Sequence, residues 1–220
     1  VQYFEEAGVV GINIEDQLSP KRCGHMQGKE LISAAEMAKK VEAAVKAKKD
    51  PDFIINARTD AIAVEGFDRA VERARFYLAA GADMVFPDAI ESEEQIQRFV
   101  DAVRAPVSIN IGFGIRSRPT TPLIPVKRLQ AIGVARVTMA RMLPSAALMG
   151  MHKALELMRD HVESGTVHDR PDLLYGMDEI TALMGYDRIA DLEAQFLPDD
   201  QLERKYGTGT VDYVVREKGR

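Results

Sequence analysis

The sequence predicts an α/β fold of parallel βα units: a (β/α)8 barrel, here cut down to about five units and followed by C-terminal helices. Three observations predict it. Short, nearly continuous apolar runs recur from residue 9 to residue 139, as strands buried on both faces should. Amphipathic helical stretches alternate with them, which is the pattern of parallel strands joined by crossovers. The chain opens on "VQYFEEAG", the tail of a helix, whereas a closed barrel needs eight strands and about 250 residues. Five units therefore read as a barrel without its first three strands, with an open five-stranded sheet as the alternative.

The elements follow in order. "VVGINI" (9–14) is the first strand, and residues 16–30, with Pro20, Gly24 and Gly28, form a loop. "SAAEMAKKVEAAVKAKK" (33–49) is a helix that opens on Ser33 with Glu36 three residues later, a capping box. "FIINAR" (53–58) is the second strand. "GFDRAVERARFYLAAGA" (66–82) carries Phe67, Val71, Ala74 and Leu78 at helical spacing and stops at Gly81. "DMVF" (83–86) and "PVSIN" (106–110) are strands on either side of the Ser-capped helix "SEEQIQRFVDAV" (92–103). "VARVTM" (134–139) is the fifth strand, and a longer helix covers 143–164. Past a link at 169–172, short helices fall near 177–184 and 187–196, and the polar end from 198 reads as extended or loose. The expected domains are a barrel portion, 1–165, and a helical extension, 166–220, with a loose tail.

The 220 residues are 46% hydrophobic and 29% charged with a net charge of -5, the composition of ordinary globular protein. No basic stripe favours nucleic acid, and no apolar run approaches the roughly 20 residues of a membrane helix. No charged-then-apolar leader is visible, and a single cysteine fits a reducing compartment. The expected location is the cytoplasm.

In βα architecture reactive groups gather at the carboxyl ends of strands. Glu15 and Asp16 follow the first strand, Arg58, Thr59 and Asp60 the second and Asp88 the third, and Asn110 ends the fourth. Glu15, Arg58, Asp88 and Asn110 thus share one rim. One strand-end carboxylate can be part of a hard-cation site, often through retained water. Arg58 is costly to bury unless paired, so it faces either a carboxylate substrate or a salt bridge to Asp60 or Asp88. Cys23 lies between Arg22 and Gly24, with Lys21 and His25 two residues away on either side. Cations beside a thiol make it a usable proton donor and acceptor. His152, His161 and His168 read as surface or packing residues. "GFGIRSRPTTP" (112–122) lacks the third glycine of a dinucleotide fingerprint, so its Arg116 and Arg118 meet an anion or solvent.

"EDQLSPKRCGHMQGKE", followed by "DFIINARTDAIAVEGFDRAVERARFYLAAGADMVFPDA", resembles the isocitrate lyase and phosphoenolpyruvate mutase superfamily. Lys21-Arg22-Cys23-Gly24-His25 is similar to the signature of its lyase branch, of the methylisocitrate lyase kind. The resemblance implies a βα barrel with one C-terminal helix exchanged between subunits, usually in a dimer of dimers. It implies Mg²⁺, with Glu15 as one ligand and the others on an acidic loop that has no counterpart here. It implies that Cys23 protonates the enolate formed when a carbon–carbon bond breaks, with Lys21 and His25 as its support. Arg58, Gly24, Asp88 and Asn110 match positions that meet the substrate. Two departures fall on the substrate side: Asp88 stands where methylisocitrate lyases carry Glu, and Asn110 lacks the acid that follows it in their Asn-x-x-Glu pattern.

The reaction so implied cleaves a 2-hydroxy di- or tricarboxylate, methylisocitrate- or dimethylmalate-like, to a 2-oxo acid and a carboxylate. The alternatives are a carboxyphosphonoenolpyruvate phosphonomutase, an oxaloacetate hydrolase or decarboxylase, and a catalytically silent chain.

Overall fold

The five apolar runs all form strands, and all five strands are parallel. The structure, a computed structural model, describes residues 1–24, 26–115 and 121–207. In chain order the elements are α1 (Gln2–Glu6), β1 (Gly11–Glu15), α2 (Ala34–Ala47), β2 (Ile54–Thr59), α3 (Ala61–Glu65), α4 (Phe67–Ala79), β3 (Met84–Pro87), α5 (Glu93–Val103), β4 (Ser108–Asn110), α6 (Val126–Ile132) and β5 (Arg136–Thr138). The helices α7 (Met142–Ser164), α8 (Met177–Leu183), α9 (Tyr186–Phe196) and α10 (Asp199–Tyr206) follow.

Strand order decides between an open doubly wound sheet and a barrel. β1, β2 and β3 pair in sequence, as do β4 and β5, and a parallel bridge from Val85 to Val107 joins the two groups. The order never reverses. Right-handed crossovers then place every helix on the same side of the sheet. The apolar clusters agree. Ile55, Ala57, Val85, Val107 and Ile109 face the helices, packed against Met37 and Val41 of α2, Tyr77 of α4 and Ile96 and Phe99 of α5. Each fully buried large side chain of this layer contributes about 1.5–3 kcal/mol.

The other face is polar. Asn56 Nδ2 donates to Asn13 Oδ1 at 2.8 Å, Arg136 Nη1 to Ser108 Oγ at 3.0 Å and Thr138 Oγ1 to Asn110 Oδ1 at 3.0 Å. Gly11, Asn13, Asn56, Met84 and Arg136 line one cavity of about 280 Å³. Four inter-strand steps of about 4.8 Å would hold β1 and β5 about 19 Å apart in a flat sheet. Sharing a cavity means that the sheet is rolled about this inner face, as a barrel wall is.

Ser33 caps α2 by accepting the Glu36 amide at 3.1 Å, and Ser92 caps α5 through Gln95 at the same distance. The helical stretch before β3 begins earlier than the periodicity predicts. It is two helices, α3 and α4, divided at Gly66, whose φ of +92° suits glycine and interrupts the first helix. The polar end is likewise corrected over 199–206, which form α10. Lys205 Nζ reaches Glu193 Oε1 at 2.5 Å, and Tyr206 bonds the same carboxylate. Residues 208–220 lie outside the described ones.

The chain divides into two compact units, Val1–Ser145 and Ala146–Arg220. The division falls inside α7. Among the described residues no helix is long and apolar enough to cross a membrane.

Candidate active site at the carboxyl ends of the strands

The adjacent acids that end β1 have opposite surroundings. Alternation along a strand sends neighbours to opposite faces. Asp16 is fully buried on the helix side. It accepts from Thr59 Oγ1 at 2.7 Å, Tyr77 Oη at 2.7 Å, the Asp60 amide at 3.0 Å and Arg73 Nη1 at 3.4 Å. With its acceptor capacity used in this way, Asp16 ties β1 to the end of β2 and to α4. Burial and the Asp16 charge push the Tyr77 hydroxyl's pKa well up, so it stays a donor. Glu15 turns to the inner face, partly exposed, where Lys21 Nζ meets both its oxygens at 3.1 Å and Arg58 Nε stands 3.3 Å away.

Arg58 is the hub. Nε and Nη2 grip Asp60 at 2.9 and 3.0 Å, and Nη2 also donates to Asp88 at 2.7 Å. Its guanidinium stacks on the Phe86 ring, 5.3 Å from the centroid. Burial disfavours the charged form, but Asp60, Asp88 and Glu15 outweigh it and raise the Arg58 pKa above the ordinary arginine value. Burial likewise works against the Asp60 carboxylate, and Arg58 and Lys29 overcome it and lower its pKa. The sequence left Arg58 either a salt bridge to one acid or a substrate contact; it bonds both acids. Nη1 makes no hydrogen bond among the described residues.

The cysteine loop closes over this hub. Its neck is pinned by the Leu18 amide on the Glu30 carbonyl at 2.8 Å and the Ile32 amide on the Asp16 carbonyl at 2.9 Å. Gln17 bonds the Arg22 amide and carbonyl, which orders the rising limb. Gly24 then lies directly on the Arg58–Asp88 pair: a Cβ there would fall 1.5 Å from Asp88 Oδ2 and 2.7 Å from Arg58 Nη2. Only glycine permits this approach. Cys23, an unpaired thiol, is held beside the hub and accepts from Arg141 Nη2 at 3.3 Å.

The structure thus gathers Glu15, Lys21, Gly24, Arg58 and Asp88 into one contact network, with Cys23 at its edge. Asn110 ends β4 on the same inner face, its amide oxygen taken by Thr138. His25, Arg116 and Arg118 lie outside the described residues. Reading the sequence missed Arg141 and Lys29. Arg141 stands 118 residues from Cys23, just past a three-residue strand. No local pattern marks it.

Among the described residues no three His, Cys, Asp or Glu side chains come together as a metal site. The carboxylates that do converge are each answered by a cation of the chain: Glu15 by Lys21 and Arg58, Asp60 by Arg58 and Lys29, Asp88 by Arg58. The described residues therefore do not make a complete divalent-cation site. Glu15, partly exposed at the mouth, fits as a single ligand.

Residues 1–159 match the family model of phosphoenolpyruvate phosphomutase. The chain belongs to this family. Among members and relatives of the phosphoenolpyruvate phosphomutase family, it is 44% identical over 188 residues to the 2-methylisocitrate lyase of Aeropyrum pernix, covering 84% of this chain and 58% of that protein. It is 36% identical to the 2,3-dimethylmalate lyase of Eubacterium barkeri, covering 89% and 65%. A solved phosphonopyruvate hydrolase in complex with oxalate and Mg²⁺ superposes with a TM-score of 0.71 at 26% identity, covering 89% of this chain and 65% of that one. The chain spans about three fifths of the length of the curated relatives it matches. The barrel wall described above is the architecture of this superfamily.

Proposed function

We propose that the protein containing this chain is a carbon–carbon lyase. It cleaves a 2-hydroxy di- or tricarboxylate, methylisocitrate- or dimethylmalate-like, to a 2-oxo acid and a smaller carboxylate. The observation that carries the reading is Gly24, the chain neighbour of Cys23, lying over the Arg58–Asp88 pair. Lyase relatives that cover most of this chain support it.

The chain's own residues do the following. Arg58, fixed by Asp60 and Asp88, offers Nη1 to a substrate oxygen, where its charge stabilises the oxyanion that develops on cleavage. Arg141 adds a second guanidinium beside the thiol, suited to a further carboxylate. Asn110 and Gly24 shape the pocket at β4 and at the loop. As the hydroxyl proton passes to solvent, the bond between the carbinol carbon and its neighbour breaks and its electron pair goes to the departing fragment. One fragment leaves as the 2-oxo acid and the other as an enolate. Cys23 gives its proton to the enolate carbon, and the thiolate then regains one, so no net charge is made. Lys21, bonded to Glu15, supports the loop, and His25 is assigned to assist Cys23 on the strength of the resemblance alone. The closed loop excludes water from the enolate.

A divalent cation, Mg²⁺ by the family's chemistry, would take Glu15 as one ligand and would polarise the substrate's hydroxyl and carboxylate oxygens. We assign the protein to the cytoplasm, which a single unpaired thiol fits. We also assign it to a homo-oligomer: Leu148, Met151, Leu155, Met158 and Val162 of α7 are exposed at alternating three- and four-residue spacing, the pattern of a helix that packs on another.

The test is product analysis by proton and phosphorus NMR. The complete protein is incubated with Mg²⁺ and, in turn, methylisocitrate, dimethylmalate, oxaloacetate and carboxyphosphonoenolpyruvate. Release of a 2-oxo acid from a 2-hydroxy acid is expected. Turnover of only the phosphonate or of oxaloacetate overturns the lyase assignment in favour of a mutase or a hydrolase.

A further inference from the structure

Lys29 belongs to the cysteine loop yet is buried, its side chain 3% exposed. A buried ammonium is costly unless it is paired and hydrogen-bonded. Its two partners, a hydrogen-bond acceptor and an ion-pair carboxylate, belong to different parts of the site. One is the carbonyl of Gly24, the residue that follows Cys23. The other is Asp60 Oδ1, at 3.6 Å, on the carboxylate that grips Arg58 through two bonds.

Among the described residues few other hydrogen bonds tie the tip of this loop to the rest of the site: Cys23 accepts from Arg141, which does not bond Arg58. The backbone bonds at the neck and the Gln17–Arg22 pair order the loop within itself. Lys21 reaches Glu15, but its side chain is more than half exposed, and exposed pairs hold weakly. Behind the tip lies a cavity of about 440 Å³, walled by Met26, Gln27 and Lys29 on the loop and by Ala63, Val64 and Glu91 opposite. Close packing therefore does not hold the tip from that side.

We propose that Lys29 is a positioning residue. Its ammonium bridges the Gly24 carbonyl to the Asp60 carboxylate and so sets Cys23 in register with Arg58. The thiol and the guanidinium then reach the substrate as one unit. The consequence for catalysis rests on the lyase reading above; the bridge itself does not.

The experiment measures the rate at which iodoacetamide alkylates Cys23 in the complete protein without substrate, followed by mass mapping of its peptide. Lys29→Met is expected to speed alkylation at least tenfold, and Lys29→Arg to bring the rate back most of the way. Asp60→Asn is also expected to speed it. The double variant Lys29→Met/Asp60→Asn should be no faster than Lys29→Met alone, because both changes cut one bridge. Should Lys29→Met not fold, Lys29→Gln carries the same expectation. Wild-type alkylation in Lys29→Met or Lys29→Gln, or multiplied effects in the double variant, overturns the bridge. In the cleavage assay Lys29→Met should lower kcat by about 100-fold, the cost of misplacing a reacting group by an ångström, while KM changes less. A protein that behaves as expected in alkylation but makes no 2-oxo acid defeats the lyase reading alone. One that cleaves substrate while Lys29→Met alkylates like wild type defeats the bridge alone.

Discussion

Two ionic networks sit at the carboxyl ends of the same strands, one on each face of the sheet. On the helix side Asp16 takes four donors and is sealed from solvent. On the inner side Glu15, Arg58 and Asp88 use the same residue types, but Glu15 and Arg58 keep partial exposure and, among the described residues, Arg58 keeps one uncommitted nitrogen. The first network is complete within the protein, so it serves structure. The second has capacity left for a ligand, so it serves chemistry. Residue type does not separate the two; saturation does.

The comparison makes predictions that can break it. The largest effect is expected from Asp16→Ala, which strands the Tyr77 and Thr59 hydroxyls and the Asp60 amide without their acceptor and takes one carboxylate from Arg73. Removing one member of a buried charged network costs about 3–5 kcal/mol, to be read from urea denaturation. Next is Arg58→Lys, which keeps the charge but loses the planar fork. Losing one oxyanion donor costs about 10²–10³ in kcat, and here stability should change far less than for Asp16→Ala. If Arg58→Lys unfolds the protein and Asp16→Ala abolishes only activity, the division between the faces is wrong.

Gly24→Ala sharpens the same point. Its Cβ cannot coexist with Asp88 and Arg58 in the closed position, so the loop must lift. About a tenfold to hundredfold loss of kcat is expected, with a melting temperature within a few degrees of wild type. The smallest effect concerns acid. The Asp60 pKa is lowered from its ordinary value of 3.8 despite burial, which acts the other way. A group with a depressed folded pKa stabilises fully above its unfolded value, and the contribution is lost as pH falls through the folded one. Melting temperatures measured between pH 5 and 2 should therefore fall below about pH 4, and Asp60→Asn should flatten that part of the curve.

The strands were legible because their helix-facing residues, such as Ile55, Val85, Val107 and Ile109, are apolar and mostly β-branched and lie between turn residues; the polar inner face departs from the expected burial on both sides. The capped helices were legible because Ser33 and Ser92 declare their own starts. α3 was not, because five residues ending at Gly66 carry no period of their own. α6, seven residues behind Pro125 with no side-chain cap, was equally silent. α10 was hidden by its polarity: "DDQLERKY" has no apolar stripe to read. At the site, Cys23, Arg58 and Glu15 stood out through local context at strand ends. The different roles of Glu15 and Asp16 did not, since only folding reveals which of two adjacent acids finds donors. Arg141 and Lys29 were beyond reach for a related reason, their partners being set by loop closure rather than by spacing.

The central claim is that Cys23 moves the proton. It is tested most directly by incubating the complete protein in D2O with the 2-oxo acid and the carboxylate product, and following deuterium at the carboxylate's C-2 by NMR. Wild-type protein is expected to exchange that hydrogen, and Cys23→Ser to do so at least about 100-fold more slowly, as loss of a general acid–base group requires. Exchange by Cys23→Ser at the wild-type rate would contradict the claim.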